Sequence, residues 1–494
     1  MRLWQARLTD KEMLSELHKV FDTTQYGLRR TKFREIRKSL GLIRTREQAH
    51  TVESICHVMA ELRSMYPQAG AREMISHLFH SHGMQVSRRV VRDYFAIYEP
   101  ELVKQRKANR LQRRQFWAAG VNDIWAVDQH DKWQRFGLRL HTAVEPFSGR
   151  ILWLKVWHSN RNPQLILSYY LACAQDFGCT YIHFTQTLNL WRTYCCSLLV
   201  IPMITQSDPG TENIGIANAQ TLLRQMHDPT LQGFVQHRWM RTKKNIMPEI
   251  IWSQFRRRFA PGFEALLEEG VDAGWYDSDN TLQMMVFRWL FIPWMQQQEL
   301  DSYVQRLNNT RKRSDKKKIL PHGILEMIHR CAEDYGALDF KVAISHEALD
   351  HVHSVYIDNN HPVFNLVPPS LDCFIAACYD ELGRPVVERQ SVWSIYCALL
   401  DLVRLCEDLP PVFDSVLDTP EDDGELSLIP GLEDLPEVEG YLGGVGNELE
   451  HLSALDALDL EDEPDIPLDA EPELWVNAFS MDEEDDMDDV DNAL

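Results

Sequence analysis

Residues 124–128 read Ile-Trp-Ala-Val-Asp, an apolar, β-prone run that ends in a carboxylate. The apolar run Leu198–Thr205 has the same character and leads into Gln-Ser-Asp208. Short runs of this composition are typical of buried strands. We therefore expect two strands that each end at an aspartate, where the chain turns. A carboxylate in that position is held rigidly at the edge of a sheet.

The sequence around these two runs predicts an α/β domain over residues 121–335. Three strands, a helix, a further strand and then helices follow one another, which is an order typical of that fold class. Besides the two strands above, we expect strands at Leu138–Val144, Ile151–Trp157 and Val235–Met240. We expect helices at Pro163–Phe177 and Pro248–Glu269.

A third carboxylate, Glu249, stands at the start of the last of these helices. Taken singly, each acid is more often a turn former or a helix cap. Two carboxylates on neighbouring strands and one on a helix, however, can converge on a pair of Mg²⁺ ions, which prefer oxygen ligands. Two such ions about 4 Å apart activate an attacking water or 3′-hydroxyl and stabilise the leaving oxygen.

Three ordered motifs resemble the integrase core of retroviral integrases and Asp-Asp-Glu transposases. They are Ile-Trp-Ala-Val-Asp128, Thr205-Gln-Ser-Asp-Pro-Gly-Thr-Glu-Asn213 and Asn245-Ile-Met-Pro-Glu249-Ile-Ile-Trp252. The resemblance covers about 200 residues, from Asn122 to Ile328. It is closest to the integrase-core proteins of eukaryotic mobile elements, which it matches also at 128–133, 146–151 and 303–324.

The resemblance implies a ribonuclease-H-like fold in which Asp128, Asp208 and Glu249 are catalytic and bind two Mg²⁺ or Mn²⁺ ions. It implies nicking of DNA ends by water and strand transfer by a DNA 3′-hydroxyl. Arg256 corresponds to the family's basic residue two helical turns after the glutamate and would reach DNA phosphate. The implied protein is nuclear, acts on element ends and target DNA, and works as a dimer or higher oligomer.

The chain also departs from the retroviral pattern. Asp208 and Glu249 lie 41 positions apart, somewhat farther than in the retroviral proteins. The retroviral zinc module is absent, because the histidines of the N-terminal region are accompanied only by Cys56. Three neighbours of the motifs have open roles. Asp131 is an alternative metal ligand to Asp128, Glu212 reaches the metal's outer shell or shapes its loop, and His130 orients a water or makes an ordinary hydrogen bond.

Residues 49–100 have the layout of a helix-turn-helix. A helix over Ala71–Phe79 is followed by a turn, and Ser87 is placed to cap a second helix, Arg88–Ile97. In such a motif the second helix enters the major groove of DNA. A helical bundle with a solvated basic face fits the same pattern. On the first interpretation the residues that face DNA are Arg88, Arg89 and Arg92.

Charge divides the chain. Its 494 residues carry a net charge of −22. Residues 407–494 hold 31 Asp and Glu but no Lys or Arg, so the preceding 406 residues have a net charge of +9. We therefore expect a polyanion-binding body with an acidic extension. The expected divisions are a helical region at 1–48, the helix-turn-helix, a basic linker at 101–120, the core, a region of unknown fold at 336–409 and a disordered acidic tail at 410–494.

Other function classes remain open beside the transposase. A host-retained regulator that binds DNA without cutting it would use the acidic tail to recruit partners, and a structure-specific nuclease would cut without strand transfer. The tail itself is either a solubilising extension or an internal mimic of DNA. The basic run Arg311–Lys318 is a nuclear-import signal or a DNA-facing loop. Ten cysteines without a Cys-x-x-Cys pattern, and no apolar run of membrane-spanning length, favour a reduced, non-membrane protein.

Overall fold

The computed structural model describes residues 2–19, 27–67, 69–100, 118–176, 199–240, 245–312, 320–405 and 426–435, and the backbone of 182–187 and 190–195. These residues belong to two compact units. The first holds residues 2–62 and 69–100. The second holds 63–67 and the described residues from 118 onward. Among the helices described, none is both long enough and apolar enough to cross a membrane.

The first unit is helical. Thr9 begins its second helix with a capping box, in which Thr9 and Glu12 bond each other's backbone N–H. The Ser87 hydroxyl accepts from the backbone N–H of Val90, so the predicted cap is confirmed. The preceding helix ends before Gly83, later than predicted. The helices are α1 (Arg2–Gln5), α2 (Asp10–His18), α3 (Arg30–Ser39), α4 (Thr45–Gln48), α5 (Val52–Met65), α6 (Ala71–His82) and α7 (Arg88–Tyr98).

The second unit is built on a mixed five-stranded sheet, which confirms the α/β class. Its strands are β1 (Ile124–His130), β2 (Arg139–Glu145), β3 (Arg150–Trp157), β7 (Ile204–Ser207) and β8 (His237–Trp239), in the spatial order β3-β2-β1-β7-β8. β1, β2 and β3 are antiparallel to one another, whereas β7 and β8 run parallel to β1. The other strands are β4 (Ile182–Thr187), β5 (Leu190–Cys195), β6 (Leu199–Ile201) and β9 (Val342–Ile344).

Helices flank the sheet. Trp125 and Val127 of β1 are buried in a core that includes Ile166 and Ile216 from two helices. Side chains alternate along a strand, so Asp128 points to the opposite face. The helices of this unit are α8 (Pro163–Asp176), α9 (Ile214–His227), α10 (Ile246–Arg258), α11 (Ala260–Asp272), α12 (Thr281–Trp294), α13 (Asp301–Asn308), α14 (Leu325–Arg330), α15 (His346–Tyr356), α16 (Pro369–Glu381) and α17 (Val392–Leu405).

Two predicted elements are each divided in the structure. The run Leu198–Thr205 is not one strand: β6 pairs with β9, and β7 joins the main sheet. Pro202 lies between them and has no N–H with which to continue a ladder. The helix predicted over Pro248–Glu269 is two helices, α10 and α11, that meet at Phe259. Pro261 stands in the first turn of α11, where a missing N–H costs nothing.

Residues 337–405 lie in the same compact unit as the sheet. β9 pairs with β6, and Leu349 and Val352 of α15 lie in the same core cluster as Ile166. The predicted disorder of the tail does not extend to residues 426–435, which make hydrogen bonds to the Asn218 side chain and to the main chain of residues 233–235 in the same unit. The rest of the tail, most of the basic linker at 101–117 and the basic run at 313–318 lie outside the described residues.

Candidate active site

The pairing of β1 with β7 aligns the two aspartates. Ala126 is the partner of Gln206 in this parallel pair. Asp128 and Asp208 each lie two residues further along their strands in the same direction. Equivalent positions of a parallel pair lie side by side, so the two carboxylates are neighbours. Asp208 directly follows the last residue of β7, but β1 continues past Asp128 to His130. The prediction that β1 ends at Asp128 is therefore wrong, because residues 128–130 still pair with β2.

Glu249 completes the group from the first turn of α10. Burial, followed by the negative charges of Glu249 and Asp208, raises the pKa of Asp128 well above its ordinary value. Burial and the charges of Glu249 and Glu212 raise the pKa of Asp208 to about 6. Like charges act in this way over short distances, so these pKa shifts indicate that the three carboxylates lie in one neighbourhood.

Asp128 is fixed by a residue on the same helix as Glu249. The indole N–H of Trp252 donates to Oδ2 of Asp128 over 3.0 Å. Trp252 follows Glu249 by three positions, so both side chains lie on one face of α10. The imidazole of His130 stacks on the indole with ring centroids 4.7 Å apart, and this contact holds the indole plane in place.

The side chain of Asn245, at the start of α10, forms hydrogen bonds to β1 and to β7. Its Nδ2 donates to the carbonyl of Val127 over 2.8 Å. Its Oδ1 accepts from Nε2 of Gln206 over 3.1 Å. One buried amide thereby fixes the helix that carries Glu249 against the strands that carry both aspartates. The sequence motif contains Asn245, but only the long-range contacts show this positioning role.

A buried histidine supports the strand that carries Asp208. Nδ1 of His237 lies 2.9 Å from the hydroxyl of Thr205, and Nε2 lies 3.0 Å from that of Ser207. Ser207 donates its single hydroxyl hydrogen to the carbonyl of Asp208. The hydrogen-bond network therefore places the proton of a neutral His237 on Nε2. Burial lowers the pKa of this imidazole to about 3, which also favours the neutral form.

The loop after Asp208 is shaped by Glu212 and Gly210. A Cβ on Gly210 would lie 1.9 Å from Oε1 of Glu212, so a side chain at this position would require the Glu212 carboxylate to move. Nδ2 of Asn213 donates to that same Oε1 and to the carbonyl of Asp208. Glu212 is buried, and its charge contributes to the raised pKa of Asp208. Its contacts favour the loop-shaping role.

The three carboxylates offer oxygen donors of the kind that divalent cations bind. Oδ1 of Asp208 is buried and, within the part of the chain that the structure describes, has no hydrogen-bond partner. The donors are carboxylate oxygens, which Mg²⁺ and Mn²⁺ prefer. Their mutual repulsion, visible in the raised pKa values of Asp128 and Asp208, is relieved by positive charge placed among them.

Asp131, the alternative to Asp128, is engaged elsewhere. Its Oδ1 accepts from Nδ2 of Asn160 over 2.8 Å and lies 3.7 Å from the guanidinium of Arg139. Asp131 also does not contribute to the raised pKa of Asp128 or Asp208. These contacts favour Asp128 as the ligand.

Basic side chains border the site. Burial, Lys132 and Arg256 together lower the pKa of His130 to about 4, so both cations lie near its ring. Lys132 and Arg256 are exposed. In the first unit, Arg89 of α7 is exposed and lies 3.8 Å from Asp93, whereas Arg88 and Arg92 are half-buried.

Comparisons with known proteins identify no relative of this chain. Searches with the chain find no significant match to a family model, to a curated protein or to a solved structure. The geometry of the site itself is therefore the basis for a functional assignment.

Proposed function

We propose that the chain is a DNA transposase or integrase that catalyses two-metal phosphoryl transfer, with end nicking followed by strand transfer. The observation that carries this proposal is the proximity of Asp128 in β1, Asp208 directly after β7 and Glu249 in the first turn of α10. The order of the sheet, three antiparallel strands followed by two parallel ones, supports a ribonuclease-H-like core.

Asp128, Asp208 and Glu249 would hold two Mg²⁺ or Mn²⁺ ions. When bound, such ions lower the pKa of an attacking water or 3′-hydroxyl and stabilise the leaving oxygen. The protein's part is to position the carboxylates before substrate arrives. Trp252 fixes the orientation of Asp128, Asn245 fixes α10 against the sheet, and His237 supports Asp208 through Ser207.

Positive charge at the rim supports a polyanionic substrate. Lys132 and Arg256 are exposed beside the carboxylates, where they can contact DNA phosphate. In the first unit, the helix pair α6–α7 presents Arg89 to solvent, consistent with its proposed role in recognising DNA ends together with Arg88 and Arg92. Joining two ends requires at least two active sites, so we propose a dimer or larger oligomer acting in the nucleus.

The proposal is tested by cleavage and joining of labelled duplex DNA that carries the ends of the element encoding the protein. Wild type and Asp208→Asn are compared in Mg²⁺, Mn²⁺ and chelator. Nicking and joining by the wild type, lost in the variant and in chelator, are the expected result. Asp350→Asn, the same change at an exposed position of α15, is the matched control and is expected to retain activity.

Two outcomes contradict the proposal. Tight binding of the ends without any cleavage favours a DNA-binding regulator. Cleavage of hybrid or branched substrates without strand transfer favours a structure-specific nuclease of the same fold.

A further inference from the structure

A segment of the acidic tail is bound by a side-chain amide. Residues 426–435 read Leu-Ser-Leu-Ile-Pro-Gly-Leu-Glu-Asp-Leu. Nδ2 of Asn218, on α9, donates to the carbonyl of Ser427 over 2.8 Å, and its Oδ1 accepts from the N–H of Ile429 over 3.1 Å. Asn218 is 2% exposed, so its amide is withdrawn from water and satisfied by the tail.

A second anchor lies beside the edge of the sheet. The N–H of Glu433 donates to the carbonyl of Gly233 over 2.8 Å, and its carbonyl accepts from the N–H of Val235 over 2.9 Å. This is a parallel bridge to the chain that leads into the edge strand β8. Addition of main chain at a sheet edge is a recurrent mode of peptide recognition.

A turn joins the two anchors. Pro430 and Gly431 stand between them, and Gly431 has φ of +79°. Proline followed by a left-handed glycine is the sequence of a type II turn. The half-buried residues of the segment recur at every third position, and they are Leu426, Ile429, Leu432 and Leu435. Main-chain bonds and regularly spaced apolar side chains together describe a bound peptide.

We propose that Asn218 and residues 233–235 form a peptide-binding site whose occupant is segment 426–435 of the same chain. We further propose that this docking holds acidic residues of the tail on the unit that carries the three carboxylates, where their negative charge weakens the binding of DNA. The competition rests on the proposed function, whereas the peptide site does not.

The charge of the tail supports the competition, because acidic side chains repel the phosphates of DNA. The docked segment itself carries Glu433 and Asp434, and Glu421, Asp422, Asp423 and Glu425 precede it in the sequence. Docking thus adds the negative charges of Glu433 and Asp434 to the surface of this unit, beside the amino end of β8.

The peptide site is tested by hydrogen exchange of the full chain. Gly431→Val is expected to break the turn, because a residue with a branched side chain rarely adopts this positive φ. The substitution lies in the tail segment and changes no residue of the site that the segment contacts. Asn218→Ala removes the amide from the core side. Gly424→Val is the matched control, the same change in the tail outside the segment. We expect the amides of Ile429 and Glu433 to exchange at least tenfold faster in both test variants than in wild type and the control.

Equal exchange in wild type and Gly431→Val overturns the peptide site. Protection of Ile429 that rises with protein concentration overturns an occupant from the same chain and indicates one from a second copy.

The competition with DNA is tested by the affinity of the same full-length proteins for duplex DNA. Gly431→Val is expected to bind several-fold more tightly than wild type at low salt, and the difference is expected to shrink as salt screens the tail. Unchanged affinity in a variant whose segment has been released overturns the competition. Hydrogen exchange measures whether the segment is bound and requires neither DNA nor catalysis. A failure of the proposed function can therefore be distinguished from a failure of the peptide site.

Discussion

The indole N–H of Trp252 lies 3.0 Å from Oδ2 of Asp128, across 124 positions of sequence. Burial and two neighbouring carboxylates disfavour a charge on Asp128, and this hydrogen bond favours it. The indole also sets the direction of the carboxylate relative to Glu249, because Glu249 and Trp252 share one face of α10. One side chain thus stabilises the charge and fixes the geometry that metal binding requires.

Trp252→Phe is expected to reduce DNA cleavage roughly 10- to 100-fold, because a hydrogen bond to a charged group contributes about 1.5–3 kcal/mol. Phenylalanine retains an apolar ring against His130 and Phe255, so the fold is expected to persist. The measurement is the Mg²⁺-dependent nicking rate. Trp157→Phe removes an indole bond to the carbonyl of Val363 and serves as the matched control. Equal loss in both variants would contradict a specific role for Trp252.

Asp208→Asn is expected to stabilise the metal-free protein while abolishing cleavage. Burial and like charges raise the folded pKa of Asp208 from 3.8 to about 6, so its ionisation opposes folding. The free energy of unfolding therefore falls as the pH rises through this window, and the variant avoids that loss. Since the side chain is partly solvated, we expect a gain of about 1–2 kcal/mol at neutral pH.

Thermal unfolding with and without Mg²⁺ measures how the substitution changes the stability of the metal-free protein and its stabilisation by metal. Mg²⁺ is expected to raise the midpoint of the wild type but not that of Asp208→Asn. Asp350→Asn, at an exposed position, is expected to follow the wild type in both conditions. A metal-free variant less stable than the wild type would show that repulsion among the carboxylates is not a cost to folding.

The sequence predicts much of this site because its signals are local. Asp128 and Asp208 end apolar runs, and Glu249 begins an amphipathic helix, so each residue can be assigned from its neighbours. In the structure, the charge of Glu249 raises the pKa of both aspartates. Asp131 stood as an alternative, since local sequence cannot show that its carboxylate bonds Asn160.

What the sequence does not reveal depends on distant partners. His237 is one polar residue in a short strand until Thr205 and Ser207 of β7 lie beside it. The apolar composition of Leu198–Thr205 predicts one strand, but Pro202 separates two strands that pair with different partners. Segment 426–435 has the same acidic and apolar composition as the rest of the tail, and its order comes from Asn218, more than 200 positions away.

Arg256→Gln is expected to weaken duplex binding without changing metal binding. Its side chain is exposed, two helical turns after Glu249, and its charge reaches His130 at the site. Loss of one phosphate contact is expected to reduce the slope of log affinity against log salt by about one. Fluorescence titrations at several salt concentrations measure this slope. Arg404→Gln, at an exposed position of α17, is the control, and an equal change there would indicate a general effect of charge.

His237→Asn is expected to make the protein less sensitive to acid. The folded pKa of His237 is lowered from 6.5 to about 3, so the unfolded chain binds a proton that the folded chain excludes. Stability from this group is therefore present above pH 6.5 and is lost as the pH falls toward 3. One such proton contributes a slope of about 1.4 kcal/mol per pH unit.

Urea unfolding between pH 4 and 6 is expected to show a slope smaller by that amount in the variant. His227→Asn, at an exposed position of α9, is expected to keep the slope of the wild type. Equal slopes in wild type and His237→Asn would show that the imidazole between Thr205 and Ser207 is not held neutral by the fold.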